Sequence, residues 1–216
     1  MESSQIFTSG YLASRYISGL SGIKKVYAIG MQGLYDELEG VGLSVIKSTQ
    51  HNELASLPMN QKTFQDLPFD TEVNCVCVGI DLNFNYYKLC YASLCIDKNN
   101  AAFVACDDDA YIMVGEKKMP ICGPIVRAVA KITDKEPMIC GKPNPYIINL
   151  ICDKKGIKKE ECLMIGDSIE SDATLAKNAG IDALILLSGV TKEETLIIME
   201  SKGDIKYLPK YYSEWL

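Results

Sequence analysis

The sequence has no CxxC pair, only one histidine and no long apolar run, and these absences restrict what the chain can be. Its nine cysteines lie mostly within apolar segments, and the one histidine, His51, stands apart in a polar stretch. Zinc sites usually combine closely spaced Cys with His, so a zinc site is not expected. We expect the cysteines to be buried reduced thiols, which pack like small hydrophobic side chains.

Other absences concern membranes and nucleic acids. No stretch approaches the roughly 18 uninterrupted apolar residues of a membrane-spanning helix. Lys and Arg form no dense block, and the net charge of -6 comes from scattered acids, which disfavours a nucleic-acid partner. The first residues, MESSQIFTSG, fit neither a secretory signal nor an Arg-rich transit peptide. The sequence therefore predicts a soluble cytoplasmic protein with no nucleic-acid or membrane partner.

What the chain does contain is an alternation of short apolar runs and segments with helical spacing. The apolar runs, which we predict to be buried strands, are residues 25–30, 74–80, 101–106, 137–141, 161–167 and 182–189. The segments with helical spacing are residues 6–18, 33–41, 86–96, 123–132, 144–154, 171–179 and 192–201. This alternation predicts a mostly parallel α/β architecture. The polar TDKEP segment predicts a boundary between a domain of residues 1–136 and one of residues 137–216.

Two acidic residues, Asp167 and Asp172, lie at the end of a predicted strand and in the first turn of the next helix, in LMIGDSIESDATLAKNAG. Ligands of open parallel sheets bind beyond the carboxyl ends of the strands, and carboxylate oxygens suit Mg²⁺. The spacing therefore indicates a metal site. The alternative is that Asp167 only ends a strand and Asp172 only stabilises a helix N-terminus.

A third candidate is Lys142 in CGKPNP, which follows another predicted strand and precedes a helix. An ammonium group in this position can neutralise a phosphoryl oxygen as a point charge. The alternative is a solvated surface lysine. Because two loops of this kind lie at neighbouring strand ends, they favour a phosphate site more strongly together than either loop does alone.

Several segments together resemble a known family. The run from ICGKPNPYIINL to GDSIESDATLAKNAGIDALILLSGVT is similar to the C-terminal core of the haloacid dehalogenase superfamily of phosphatases. Upstream, VYAIGMQGLYDELEGVG, VCVGIDLNFNYYKL, FVACDDDA and MPICGPIVRAVAKITDKEP resemble the class II cap of the branch with p-nitrophenyl phosphatase, phosphoglycolate phosphatase and pyridoxal phosphatase. The resemblance implies an α/β cap domain over residues 1–136. Residues 137–216 would form the C-terminal half of a Rossmann-like core, which is incomplete without its other half.

The resemblance also implies roles for the candidate residues. In that family an aspartate attacks a phosphomonoester, Mg²⁺ bridges the nucleophile and a phosphoryl oxygen, and the aspartyl phosphate is then hydrolysed. Asp167 matches the Mg²⁺ ligand, Asp172 the acid that supports the metal site, and Lys142 the residue that binds the phosphate. The implied substrates are small phosphorylated metabolites, of the phosphoglycolate or p-nitrophenyl phosphate type. Caps of this family often mediate dimers, which implies a possible homodimer through the cap.

The family's DxDGT loop, which supplies the nucleophile, has no match in this sequence. The acidic run at residues 107–109 aligns with the end of a cap strand and is no substitute. We therefore predict no catalytic residue, and expect the chain as written to be inactive or nearly so unless another polypeptide supplies the missing half. The alternatives are a non-catalytic cap-mediated interaction protein and, with weaker support, another phosphate-binding protein such as a phosphotransferase.

Asp81 and Asn83 allow two interpretations as well. They lie in GIDLN, between a predicted strand and a helix. One interpretation is a cap loop near the substrate. The favoured one is a strand-to-helix turn that uses Asp and Asn for local backbone hydrogen bonds.

Overall fold

A computed structural model describes residues 2–56, 60–203 and 205–216 of the chain. The chain divides into two units, Met1–Gly141 and Lys142–Leu216. Within the described ranges, no helix combines the length and the apolar character that crossing a bilayer requires. All nine cysteines are free thiols, and six of them are buried.

The first unit is built on a five-stranded parallel sheet. Its strands are β1 (Lys25–Ile29), β2 (Ser44–Lys47), β3 (Cys75–Val78), β4 (Ala102–Ala105) and β7 (Met138–Ile139). They lie side by side in the order β2-β1-β3-β4-β7. The central strands carry almost only buried apolar residues, as expected for strands that are covered on both faces. This sheet confirms the predicted parallel α/β architecture.

Helices and one hairpin complete the first unit. The helices are α1 (Ser9–Gly19), α2 (Gln32–Gly40), α3 (Gln61–Gln65), α4 (Tyr86–Lys98) and α5 (Cys122–Thr133). Apolar side chains of α4 and α5 pack with those of β1, β3 and β4 in one core cluster, while α1 and α2 contact each other. The strands β5 (Tyr111–Val114) and β6 (Lys117–Pro120) pair antiparallel in a separate hairpin, which was not among the predicted strands.

The second unit is a three-stranded parallel sheet with three helices. It contains β8 (Leu163–Gly166), β9 (Asp182–Leu186) and β10 (Tyr211–Ser213), with β9 in the centre, and the helices α6 (Tyr146–Lys155), α7 (Thr174–Ala179) and α8 (Glu193–Ser201). The start and end of α6 follow its sequence signals, because Asn144 Oδ1 accepts the Tyr146 N–H and Gly156 takes the left-handed conformation after the last turn. The strand β8 leads directly into the candidate site.

The division between the units lies after Gly141, whereas the sequence placed it after Glu136. The difference comes from β7, which we assigned to the second domain. In the structure, Met138 and Ile139 pair with Val104 and Ala105 of β4, so this strand extends the sheet of the first unit. The pairing of so short a strand at the edge of a sheet depends on its register with the neighbouring strand. The sequence of the short strand alone does not specify that register.

Candidate metal and phosphate site

Asp167 directly follows β8, and Gly166 makes room for the neighbouring Asp172. A Cβ atom on Gly166 would lie 2.3 Å from both Cγ and Oδ2 of Asp172, far inside van der Waals contact. Only glycine therefore allows the Asp172 carboxylate to approach the end of this strand. The close approach brings the two predicted acidic residues together, as their spacing in the sequence suggested.

The Asp172 carboxylate is buried and has hydrogen-bond partners on both oxygens. Its Oδ2 accepts the backbone N–H groups of Asp167 and Ser168 at 3.0 and 3.1 Å. Its Oδ1 accepts a hydrogen bond from Lys142 Nζ at 2.8 Å, and the residue is only 2% exposed. A carboxylate with these partners holds the loop and the lysine in position, and is poorly available as a direct metal ligand.

Asp172 lies in a single π-helical turn, Ile169–Ala173, and not in the regular α-helix that we predicted from residue 171. Ser168 begins the turn, since its side chain accepts the Ser171 N–H at 3.2 Å. Turns of this type are rare and occur often at functional sites. Here the turn places Asp172 beneath the backbone amides of Asp167 and Ser168.

Lys142 lies in a loop that is held from the other side of the site. Asn178 of α7 donates a hydrogen bond from Nδ2 to the carbonyl oxygen of Pro143 at 3.0 Å, and the Lys142–Pro143 peptide bond is cis. The Lys142 side chain remains 38% exposed while its ammonium group contacts Asp172. The lysine is therefore positioned by the protein and still accessible to a ligand from solvent.

A third loop, which was not among the predicted site loops, supports Asp167. The Val190 N–H donates to Asp167 Oδ2, and the Thr191 N–H donates to the Asp167 carbonyl oxygen, both at 2.9 Å. A Cβ atom on Gly189 would lie 2.1 Å from Asp167 Oδ2, so this position also requires glycine. Only part of this signal was present in the sequence, because we predicted a strand over residues 182–189, which includes Gly189, whereas β9 ends at Leu186 and Gly189 lies in the loop.

The donor atoms at this site fit a magnesium ion that keeps most of its water ligands. Asp167 Oδ2 accepts a hydrogen bond from the Val190 N–H, whereas Asp167 Oδ1 accepts no hydrogen bond from any residue that the structure describes. Across the described ranges, no group of three or more His, Cys, Asp and Glu side chains is placed to enclose a metal ion. Mg²⁺ binds through one or two carboxylates and keeps several waters, so a single free carboxylate oxygen suits it better than a metal that needs a full protein cage.

Asp81 and Asn83, in the first unit, form the turn that we favoured. Asp81 Oδ1 accepts the Asn83 N–H at 2.8 Å, as in a local Asx turn. Asp81 Oδ2 accepts hydrogen bonds from Lys88 Nζ at 2.7 Å and Ser48 Oγ at 2.8 Å. Lys88 is completely buried, so the pair belongs to the interior of this unit.

The acidic run after β4 has partners of its own. Asp108 forms an ion pair with Arg127, and Asp107 Oδ2 accepts a hydrogen bond from Ser9 at 3.3 Å. Burial raises the pKa of Asp107 above its ordinary value, and the neighbouring Asp109 charge adds to the effect. Asp108 is thus paired within the first unit, whereas Asp107 Oδ1 is buried and has no hydrogen-bond partner among the described residues.

Comparisons with known proteins identify the family. The HAD-hydrolase-like family model matches residues 139–210. The chain is 33% identical to phosphoglycolate phosphatase 2 of Arabidopsis thaliana, over 97% of this chain and 68% of that protein. It is 28% identical to the 4-nitrophenylphosphatase of Schizosaccharomyces pombe, over 98% of this chain and 70% of that one.

Solved structures agree with these relatives. A hypothetical protein from Pyrococcus horikoshii OT3 superposes with a TM-score of 0.79 at 30% identity, over 98% of this chain and 72% of its own. A glycerol phosphate phosphatase from Mycobacterium tuberculosis, solved in complex with magnesium, superposes with a TM-score of 0.74 at 23% identity, over 95% and 55% of the two chains. The predicted resemblance is confirmed, and the chain belongs to the haloacid dehalogenase superfamily, in the branch with phosphoglycolate phosphatase and 4-nitrophenylphosphatase.

Proposed function

We propose that this chain carries the metal- and phosphate-binding part of a Mg²⁺-dependent phosphomonoester hydrolase that acts on small phosphorylated metabolites. The observation that carries the proposal is the arrangement of Lys142, Asp167 and Asp172 at the carboxyl end of β8. Phosphatase names among the relatives and a magnesium complex among the structural neighbours support it. The two relatives suggest phosphoglycolate or aryl phosphates such as p-nitrophenyl phosphate as substrates.

Each residue has a distinct role in this proposal. Lys142 Nζ presents a positive charge to a phosphoryl oxygen, and Asp172 keeps that charge in place through its hydrogen bond to the ammonium group. Asp167 Oδ1 is the oxygen that would hold the metal, while Val190 and Gly189 keep the carboxylate in the required orientation. A bound Mg²⁺ would withdraw charge from the phosphoryl group and so favour attack on phosphorus.

We propose further that the chain of 216 residues binds phosphate and Mg²⁺ but hydrolyses phosphomonoesters slowly by itself. The support is that no position of this sequence matches the family's nucleophile loop, and that Asp108 is paired with Arg127. Without a carboxylate nucleophile no covalent aspartyl phosphate forms, and most of the rate is lost.

The test separates binding from turnover. Titration calorimetry of the full chain should show Mg²⁺ binding that Asp167→Asn abolishes, and inorganic phosphate binding that Lys142→Met weakens about tenfold or more. Lys155→Met is the matched control, because Lys155 is exposed at the end of the neighbouring α6. Absence of Mg²⁺-dependent phosphate binding in the wild-type chain would overturn the binding proposal. Fast hydrolysis of p-nitrophenyl phosphate would overturn only the proposal of slow turnover.

A cytoplasmic location is part of the same proposal. Nine free cysteines, three of them only half buried, fit a reducing compartment better than an oxidising one. Fractionation of cells that express the full-length protein should recover it with cytoplasmic markers, and recovery with organelle markers would contradict the proposal.

A second candidate role, self-association through the first unit, is favoured by the β5–β6 hairpin. Every residue of both strands is exposed, and the large apolar side chains Tyr111, Ile112, Met113, Val114 and Met119 are between 42 and 56% exposed. Exposed apolar surface of this kind often marks a protein interface. We expect sedimentation analysis to show a dimer that Ile112→Lys dissociates and that Ile132→Lys, an exposed isoleucine of α5, leaves intact. A monomeric wild-type chain at high concentration would contradict this role.

A further inference from the structure

Two cysteines of the second unit lie next to each other. Cys152 in α6 and Cys162, the residue before β8, have their Sγ atoms 3.8 Å apart. The backbone of Cys162 is extended and lies between a 3-10 turn, Lys159–Glu161, and the strand. Both side chains are half buried, so a small reagent in solution can reach them.

The other seven cysteines differ from this pair. Six are buried in the first unit, where a reagent in solution does not reach them. Cys90, the remaining half-buried thiol, interacts with the Tyr86 side chain. Cys152 and Cys162 therefore combine two properties, a neighbouring thiol and access from solvent.

The geometry allows a covalent bond between them. A disulfide places its sulfur atoms roughly 2.05 Å apart, so the two atoms must approach by about 1.8 Å. Cys152 lies in the last turn of α6, and Cys162 precedes the first paired residue of β8, Leu163. We expect a change of side-chain rotamer and a small shift of the Cys162 backbone to supply this approach, because Cys162 lies outside the paired residues of the β8–β9 ladder.

We propose that Cys152 and Cys162 are a modification site, which forms a reversible disulfide by exchange with a small disulfide such as oxidised glutathione. One cysteine thiolate attacks the glutathione disulfide, forms a mixed disulfide and releases one glutathione thiolate. The second cysteine thiolate attacks the protein sulfur of the mixed disulfide and releases the second glutathione thiolate. The protein loses two electrons and two protons, and one glutathione disulfide becomes two molecules of glutathione.

The disulfide would connect α6 and β8, and the opposite end of each of these elements lies near the candidate site. The helix α6 begins shortly after Lys142, and β8 ends immediately before Asp167. Linking the last turn of α6 to the residue before β8 closes a short loop of chain, which restricts the unfolded ensemble and stabilises the folded unit. The inference concerns the chemistry of the two thiols and does not depend on the proposed phosphatase function.

The test uses the full chain, incubated with oxidised and then with reduced glutathione. Oxidation should remove two titratable thiols and yield one pair of linked peptides, containing Cys152 and Cys162, after digestion without reductant. It should also raise the melting temperature, and reduced glutathione should reverse all three changes. Cys152→Ser and Cys162→Ser should each abolish the linked pair, while Cys90→Ser, the matched half-buried control, should retain it.

Two results would overturn the proposal. One is a stable glutathione adduct on Cys152 or Cys162 with no linked peptide pair. The other is a linked pair that persists in Cys162→Ser. Because serine is close in size to cysteine, each variant should give the wild-type circular dichroism spectrum. A linked pair absent from a variant that keeps this spectrum then reports the loss of the thiol and not a failure to fold.

Discussion

The ammonium group of Lys142 lies 2.8 Å from Oδ1 of Asp172, although the two residues are 30 positions apart in the sequence. The second oxygen of Asp172 accepts the backbone N–H groups of Asp167 and Ser168. One buried carboxylate thus contacts both Lys142 and the backbone of Asp167, the proposed metal ligand. Asp172 acts through these two groups, and its removal should affect both.

Replacing Asp172 by alanine should therefore lower both stability and Mg²⁺ affinity. The change removes an ion pair and two charged hydrogen bonds, and we expect a loss of about 2–3 kcal/mol in the free energy of unfolding, because Lys142 is partly exposed and its share is screened. Urea denaturation and calorimetry measure the two effects. Asp153→Ala, at an exposed acid of α6, should change neither. Full Mg²⁺ affinity in Asp172→Ala would contradict the positioning role.

Gly166→Ala should disturb the same loop from the side of the strand. The new methyl group would lie 2.3 Å from Asp172 Cγ, so the carboxylate must move and lose its backbone hydrogen bonds. We expect a destabilisation of about 1–3 kcal/mol in urea denaturation, with weaker Mg²⁺ binding. Gly33→Ala in α2 is the control, because nothing lies within 4 Å of the place that its new methyl group would take, and it should be neutral or slightly stabilising.

Lys88→Met tests the buried pair of the first unit. Lys88 Nζ donates to Asp81 Oδ2, to Asn52 Oδ1 and to the Asn83 carbonyl oxygen at 2.6–2.9 Å, and its side chain is 0% exposed. The variant leaves the Asp81 carboxylate buried without its cation, which typically costs about 3–5 kcal/mol.

Thermal or urea unfolding measures the loss for Lys88→Met, and Lys98→Met, at an exposed position of the same helix, should cost little. The double variant with Asp81→Asn should recover part of the loss, since it removes the uncompensated charge. A wild-type midpoint for Lys88→Met would show that the pair does not stabilise this unit.

Stability should fall with rising pH above about 9 because of the buried thiols. Burial raises the pKa of Cys75 and Cys140 from 9.0 to about 12. Between these values the unfolded chain has released the protons that the folded chain retains. Each such thiol then lowers the free energy of unfolding by about 1.4 kcal/mol per pH unit. The contribution of these thiols to the free energy of unfolding is fully present below pH 9 and is lost as the pH approaches 12.

The measurement is urea denaturation at several pH values between 8 and about 10.5, with Cys75→Ala beside the wild type. The variant should have a shallower pH dependence, whatever its stability at pH 8, because it has one thiol fewer that is protonated only in the folded state. Equal slopes for the two proteins would contradict the assigned cause.

Much of the local structure was predictable because its signals are local. The apolar runs became strands and the segments with helical spacing became helices, with differences of a few residues at most ends. In α6, the Asn144 side chain and the left-handed Gly156 lie at the positions that the sequence indicated. Asp167, Asp172 and Lys142 were identified as a group because each follows or lies near the end of a strand.

Other features depended on contacts between distant residues. The π-helical turn before α7 contains Asp172, whose carboxylate contacts Lys142 and two backbone amides, and α-helical periodicity gives no sign of this turn. The support of Asp167 by Val190 and the place of β7 in the first sheet depend on which strands lie side by side. The exposed β5–β6 hairpin was missed because its apolar residues do not face a core.

The sequence by itself therefore determined most of the helices and the central strands, the parallel α/β class and the family, and it indicated the residues of the candidate site. These follow from hydrophobic periodicity, helix-end residues and ordered motifs, all of which are properties of short segments. Only the tertiary structure decided that Asp172 supports the site from beneath, that Asp167 Oδ1 accepts no hydrogen bond from the part of the chain that the structure describes, and that Cys152 meets Cys162. Those relationships depend on strand register and side-chain packing, which arise only when segments far apart in the chain are brought together.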